Sequence, residues 1–355
     1  MGLGEDFISP AQTSFINRWY SPTEMARIGA FTITGKALAG TVGFPVSSYL
    51  CQLQEIDGWR LMFYTFAILG GIWIIIWGIY ATSSPSKHRC ISSEEKEYIL
   101  EELKQLEMNH DPDDPKLYKG SIPWKSILTS KAVIINLICQ FTFNFSEAIL
   151  SAYLPTYIDQ VLKLDLNQNG YFAMISFFAQ LIFQILFGIF TDMIHKKDVI
   201  SGTTSCKLCQ GLENFLCALS YLGLGFLANK DHLFLAGMFL VFNGIGTAAS
   251  VGGFMTAQPS LAPQYAGIIS SILRTTAALG ALSSINVVGF INKEGTPIQW
   301  RTIWIIAASL NVVTGIIFLI GGEAETQEWA KNDETENDKT LSSRKSSTEH
   351  PLTNE

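Results

Sequence analysis

The chain has 355 residues, of which 48% are hydrophobic and only 15% are charged. A disordered chain needs few apolar residues, and soluble domains carry charge on about a quarter of their residues, so both classes fit poorly. The net charge of −7 argues against a nucleic-acid-binding protein, because neutralising phosphates needs an excess of Lys and Arg. These figures favour a membrane protein.

Apolar runs long enough to cross the roughly 30 Å core of a bilayer recur along the chain. We predict nine membrane-spanning helices, over about 2–18, 27–51, 61–82, 131–156, 168–192, 206–228, 231–257, 266–291 and 301–321. The fold class is therefore all-α and polytopic. The first run is short and starts at the initiator Met1, which suggests a clipped helix.

Two polar segments separate or follow these runs. Residues 84–126 contain a capping-box pattern, Ser92-Ser-Glu-Glu95, ahead of a helix-forming run, and we interpret them as a cytosolic connector with a short helix. Residues 322–355 are rich in Glu, Asp, Ser, Thr and Lys, which predicts a disordered tail. The remaining segments, 1–83 and 127–321, then form two helix bundles.

The basic residues of the loops predict the orientation. If the connector is cytosolic, its side of the membrane collects 17 of the 24 Lys and Arg residues, five lie on the opposite side and two lie within spans. Since cytosolic loops are enriched in basic residues, the connector and the tail are predicted to be cytosolic.

An internal repeat relates the two bundles at an offset of 241 residues. Pro22 matches Pro263, and the pair Trp59-Arg60 matches Trp300-Arg301. If the second and third spans correspond to the eighth and ninth, the repeat unit is six helices, as in transporters built from two six-helix halves. The first bundle would then keep three of its six helices, and we expect the chain to be truncated at its N-terminus.

Short motifs recur across nearly the whole chain before the tail. They include Trp19-x-x-Pro22-x-Glu24-x-x-Arg27, Gly58-Trp59, Leu154-Pro-Thr-Tyr157, Ala262-Pro-x-Tyr-Ala-Gly267 and Gly322-Glu-x-x-x-Gln-x-Trp-Ala330. Together these motifs resemble the anion:cation symporter branch of the major facilitator superfamily, which includes sialin, vesicular glutamate transporters and sodium-phosphate cotransporter-like proteins.

By this resemblance the nine spans correspond to family helices four to twelve, in a major facilitator fold that lacks the first three. The implied activity is secondary active transport of organic anions or phosphate. Phe143 stands where glutamate transporters carry an arginine, which disfavours glutamate. Phe143-Asn144-Phe145 is similar to the sialin pattern, and Asn144 is a candidate substrate-binding residue on that account.

Ionisable residues inside the spans are the candidates for chemistry, because a charge at mid-bilayer depth costs at least a few kcal/mol. Arg274 and Lys36 lie on repeat-related helices at similar depth and could bind a carboxylate or phosphate, Arg274 with a bidentate guanidinium. Lys36 could instead extend towards the cytosolic headgroups.

Glu147 and Glu5 are the candidate carboxylates for ion coupling, since either could take up and release a proton. Glu147 could instead form a hydrogen bond with Asn144 or Ser146, or lie in a water-exposed position. Glu5 could instead lie in a solvated, frayed terminus. Glu213 is expected at the membrane interface.

Asp192, Lys196 and Lys197 are expected in the cytosolic loop after the fifth span, as a gating latch or simply as part of the positive-inside pattern. Two stripes of small residues predict close helix packing, Gly35-x-x-x-Ala39-x-x-x-Gly43 and Gly244-x-x-x-Ala248-x-x-x-Gly252.

The sequence indicates a transporter that uses a proton or sodium ion and no cofactor or bound metal, in the plasma membrane or a lysosomal or vesicular membrane. Its partners would be a small anion and the lipid bilayer. The alternative is a product that does not transport and acts as a regulatory or dimerising membrane protein. An enzyme is disfavoured, because the spans contain no Ser-Lys, paired-aspartate or His-Glu-x-x-His arrangement.

Overall fold

The computed structural model describes residues 11, 15, 19–20, 22–53, 57–82, 85, 88, 91–92, 94–99, 122–197, 200–262 and 265–330, without the side chains of 22–30, 33, 192 and 194–197. The main α-helices in these ranges are α1 Pro22–Gln52, α2 Gly58–Tyr80, α3 Trp124–Thr129, α4 Lys131–Tyr157, α5 Leu166–Lys197, α6 Gly202–Phe226, α7 Leu233–Ala249, α8 Phe254–Leu261, α9 Ala266–Ile291 and α10 Pro297–Gly321. Residues 94–99 are also helical.

Six helical segments in the described part of the chain are long and apolar enough to cross a membrane: Gly58–Tyr80, Lys131–Leu162, Leu166–Thr191, Leu233–Leu261, Ala266–Ile291 and Pro297–Gly321. The 25-residue helix α6 has the length to cross a bilayer and carries more polar side chains, many of them buried. The predicted all-α polytopic fold is confirmed for the described residues. The first predicted span, about 2–18, lies almost wholly outside them.

Local signals in the sequence account for several helix starts. The Thr296 hydroxyl accepts a hydrogen bond from the Gln299 N–H, and the Gln299 Oε1 accepts one from the Thr296 N–H, with Pro297 at the first helical position of α10. The Ser201 hydroxyl caps α6 by accepting from Thr204 N–H at 3.3 Å. In the connector, Ser92 Oγ accepts from Glu95 N–H at 3.1 Å, as its capping-box pattern predicted.

The chain divides into two compact units. The first comprises Met1–Ala39 and Val46–Asp114, and the second comprises Gly40–Pro45 and Pro115–Glu355. In the first unit, Gly58 is the one fully buried residue of α2, whose other side chains are partly or largely exposed. The second unit contains α3 to α10 and three clusters of buried apolar side chains.

Aromatic side chains form the centre of the largest core cluster in the second unit. Trp304 of α10 stacks on Tyr221 of α6, with ring centroids 5.5 Å apart, and meets Tyr157 of α4 edge-on at 5.1 Å. The Tyr157 hydroxyl donates to the Leu224 carbonyl at 2.7 Å. Three helices are therefore held together by rings that are fully buried.

The two small-residue stripes behave differently. A Cβ added to Gly244 would collide with the Ser176 carbonyl of α5, and one added to Gly252 would lie 2.7 Å from Thr191 Oγ1 and 2.8 Å from Cys209 Sγ. The predicted close packing is confirmed for this stripe. Around Gly35 and Gly43 of α1, no described atom lies within 4 Å of an added Cβ, so close packing at these two glycines stays a prediction.

Residues 322–330 form a segment that we call the C-terminal strap. Gln327 N–H donates to the Leu261 carbonyl at 2.8 Å, Trp329 lies against Tyr265 with ring centroids 5.9 Å apart, and Ala330 is buried in the cluster that contains Ile127 and Leu273. These residues were predicted to belong to the disordered tail. The prediction was wrong for 322–330 because Trp329 and Ala330 are apolar residues in a polar stretch, and they pack over the ends of α8 and α9.

Candidate functional site

Polar side chains form a buried seam through the second unit, between helices that are otherwise apolar. Thr142 of α4 and Thr314 of α10 share a hydrogen bond of 2.7 Å between their hydroxyls. Asn311 of α10 donates through Nδ2 to Ser146 Oγ at 3.0 Å and to the Ala307 carbonyl at 2.8 Å. Because the hydrocarbon of a bilayer offers no hydrogen-bond partners, such residues are stable there only when they satisfy one another.

The seam continues between α5, α6, α7 and α8. Ser176 Oγ donates to Asn243 Oδ1 at 3.1 Å, which joins α5 to α7. Gln210 Oε1 of α6 accepts from the Phe254 N–H at 3.0 Å, at the first residue of α8. The Phe254 amide has no intrahelical acceptor at this helix start, so the glutamine provides the acceptor that it lacks.

Two of the predicted site residues lie on α4. Glu147 is buried, with 7% of its surface exposed, on the same helix turn as Ser146 of the seam. Asn144 is half-buried and donates through Nδ2 to the Gln140 carbonyl one turn earlier, at 2.9 Å. The Gln140 side chain in turn accepts from Gln258 Nε2 of α8 at 2.9 Å, so polar groups extend from α8 to the Asn144 region.

Arg274 lies on an exposed face of α9, at a different depth from Glu147 of α4. Gly280 of α9 packs on the Phe141 carbonyl of α4, and Leu273 shares a cluster with Val133, so the two helices run in the same direction. Along their axes, Arg274 is six residues before the Gly280–Phe141 contact and Glu147 is six residues after it. At 1.5 Å per residue their backbones are about 18 Å apart in depth, and the structure does not bring them together.

The other predicted site residues are distributed elsewhere. Lys36 lies on α1 in the first unit with an exposed side chain, and Glu5 is outside the described residues. Asp192, Lys196 and Lys197 were expected in a loop, and this was wrong: α5 continues through Lys197, so all three belong to its last two turns. A helix can extend past the apolar run into the headgroup region, where polar side chains meet water.

Glu213 was misplaced by sequence reasoning. It is 3% exposed on α6, 11 residues after Gly202 and 13 before Phe226, and so lies near the middle of the helix and not at an interface. The signal that could have found it is the four-residue spacing of Cys209, Glu213 and Cys217, which puts a carboxyl on the same face as two small apolar side chains.

The sequence profile described as Major Facilitator Superfamily matches residues 1–285. This match, together with the all-helical fold and six candidate spans, shows a multi-pass integral membrane protein, and the chain belongs to the major facilitator superfamily of transporters.

Relatives with curated names refine this assignment. The chain is 32% identical over 333 residues to the uncharacterized transporter slc-17.3 of Caenorhabditis elegans, covering 93% of this chain and 60% of that protein. It is 27% identical over 337 residues to sialin of Homo sapiens (94% and 64%) and 26% identical over 339 residues to sodium-dependent phosphate transport protein 1 of Mus musculus (94% and 69%). The resemblance to the anion:cation symporter branch is confirmed. The chain spans about three fifths of the length of the first two of these relatives.

Proposed function

We propose that this chain is a secondary active transporter of small anions, either organic anions or phosphate, which uses a proton or sodium gradient and works by alternating access. The observation that carries the proposal is the buried polar seam. Replacing a buried hydrogen-bonded pair by apolar groups of the same shape is often neutral or stabilising in a purely structural core, so a seam that involves six helices of an apolar bundle favours a role beyond packing.

The chemistry of the predicted residues supports an anionic substrate. Arg274 is a permanently charged guanidinium eight residues into α9, about 12 Å from the start of the helix. A guanidinium can hold a carboxylate or phosphate through two parallel hydrogen bonds. We assign Arg274, Lys36 and Asn144 to substrate binding and Glu147 and Glu5 to ion coupling. One relative is named as a sodium-dependent phosphate transport protein, which is the same substrate class.

Uptake of labelled phosphate, sialic acid, urate and acidic amino acids into proteoliposomes, with imposed proton or sodium gradients, tests the proposal. We expect saturable uptake of at least one anion. Arg274→Ala should raise its KM roughly 10- to 100-fold, the equivalent of losing about 1.5–3 kcal/mol from a charged hydrogen bond, and Arg274→Lys should raise it less.

Arg301→Ala is the matched control, because Arg301 is also exposed and lies at the start of α10, bonded to the Gly225 carbonyl. It should leave KM unchanged. Equal KM values for wild type and Arg274→Ala would remove Arg274 from the site. No uptake of any anion by the wild type would favour the regulatory or dimerising alternative.

A further inference from the structure

The carboxyl of Glu213 lies deep in the second unit, where water has almost no access. At 1.5 Å per residue it is about 16 Å from one end of α6 and about 20 Å from the other. It is 3% exposed, and its Oε2 has no hydrogen-bond partner among the described residues. This position is close to the depth at which a charged side chain is most costly in a membrane.

In the part of the chain that the structure describes, no salt bridge involves the Glu213 carboxyl. Of the helices packed against α6, α7 and α8 contain no titratable residue, and the basic residues of α4 and α10 are Lys131 and Arg301, both exposed in the first two turns of their helices. The basic residue of α6 itself is Lys207, six residues before Glu213. Helix α5 also packs against α6, and its basic residues, His195, Lys196 and Lys197, lie in its last turn.

The titratable groups near Glu213 are acidic or neutral. Cys139 of α4 and Cys217 of α6 lie within electrostatic range of it, and Glu147 lies within range of Cys217 in turn. The Gln210 side chain lies close to the carboxyl. An ionised Glu213 would therefore be a buried anion with a second carboxyl in the same region, an arrangement that strongly favours the neutral form of at least one of them.

The surrounding atoms favour a proton over a metal cation as the ligand of this carboxyl. Hard cations such as sodium or magnesium need several oxygen ligands, whereas two of the nearest titratable groups here are thiols. No group of three or more His, Cys, Asp or Glu side chains in the described part of the chain could hold a metal ion.

We propose that Glu213 is a proton-binding site of the second unit, protonated in the conformation described and ionised when a conformational change exposes it to water. This inference rests on the proposed transport function, in which the proton would be carried across the membrane with the anion. The step is simple: a proton from the aqueous phase binds the carboxylate oxygen, and the same proton leaves when the site opens on the other side.

Infrared spectroscopy tests the protonation without reference to transport. We expect the purified, lipid-reconstituted wild type at pH 7 to show the carbonyl stretch of a protonated carboxyl, and Glu213→Gln to lack it. Glu294→Gln, which changes an exposed residue between α9 and α10, should retain the band. If Glu213→Gln does not fold, Glu213→Asp should shift the band instead. A wild type without this band, or a band that is unchanged in every Glu213 variant, would overturn the proposal.

Proteoliposome uptake at a series of pH values tests the link to transport. Glu213→Gln should abolish the stimulation of uptake by an inward proton gradient while allowing downhill exchange, and Glu213→Asp should restore part of the stimulation. The same pH dependence in wild type and Glu213→Gln would overturn the proposal. If the wild type transports nothing, the proposed function fails, and the infrared experiment alone decides whether Glu213 binds a proton.

Discussion

Helix α2 of the first unit and helix α10 of the second are about equally apolar and equally long, yet they differ in the fraction of their residues that is buried. The most apolar 18-residue window of α2, a helix of 23 residues, has a mean hydropathy of 2.0, and none of this window is buried. The corresponding window of α10, a helix of 25 residues, has a mean hydropathy of 2.4, and 44% of it is buried. Asn311 and Thr314 of α10 join the polar seam. Hydropathy identifies a span in both helices, but it does not determine how much of a helix its neighbours bury.

We expect substitutions in the aromatic cluster to give the largest difference in stability loss between α10 and α2. Trp304→Ala removes a fully buried ring that contacts Tyr157, Tyr221 and Trp300, and we expect it to cost about 3–5 kcal/mol of unfolding free energy. Trp73→Ala in α2, where the ring is 60% exposed, is the matched control and should cost much less. Thermal unfolding in detergent, followed by size-exclusion chromatography, measures both. Similar losses for the two variants would contradict the comparison.

Enlarging a glycine at the close contact between α5 and α7 should give the next largest loss of stability. Gly244→Val places two methyl groups against the Ser176 carbonyl of α5, and overpacking of this kind costs about 1–3 kcal/mol. Gly78→Val in α2 has no described atom within 4 Å of the new Cβ and should change the melting temperature little. The assay is the same as for Trp304, and equal shifts at Gly244 and Gly78 would show that the α5–α7 contact does not depend on the glycine.

The hydrogen bonds of the seam should contribute least to stability. Thr142→Val removes the hydroxyl that is bonded to Thr314, and such bonds between membrane helices average about 0.6 kcal/mol. A double-mutant cycle with Thr314→Val isolates this coupling energy, because each single variant leaves one hydroxyl unpaired. Thr302→Val, which changes an exposed hydroxyl of α10, is the control. A coupling energy of zero would mean that the two hydroxyls do not interact in the membrane.

The sequence predicted the helices better than the positions of side chains within them. Its boundaries for α9, 266–291, coincide with the structure, since a long apolar run between polar loops has only one way to cross a bilayer. Glu213 was placed at an interface because the predicted span starts at 206, whereas α6 starts at Gly202 and buries its polar face against neighbouring helices.

Contacts between distant segments could not be predicted either. The strap packs because Trp329 and Ala330 contact apolar residues at the ends of α8 and α9. The sequence of residues 322–330 alone does not indicate that these partners are present. The depth difference between Arg274 and Glu147 likewise depends on the register of α4 and α9, which the contact of Gly280 with Phe141 sets. Local patterns predict elements, and tertiary packing decides which of them meet.

The most direct test of the central claim is concentrative uptake of an anion by the full chain in proteoliposomes. Under an inward proton or sodium gradient, we predict that labelled phosphate or an organic anion accumulates above its external concentration, and that collapsing the gradient with an ionophore releases the excess. Uptake indistinguishable from that of protein-free liposomes, for every anion and both gradients, would contradict the assignment of this chain as a transporter.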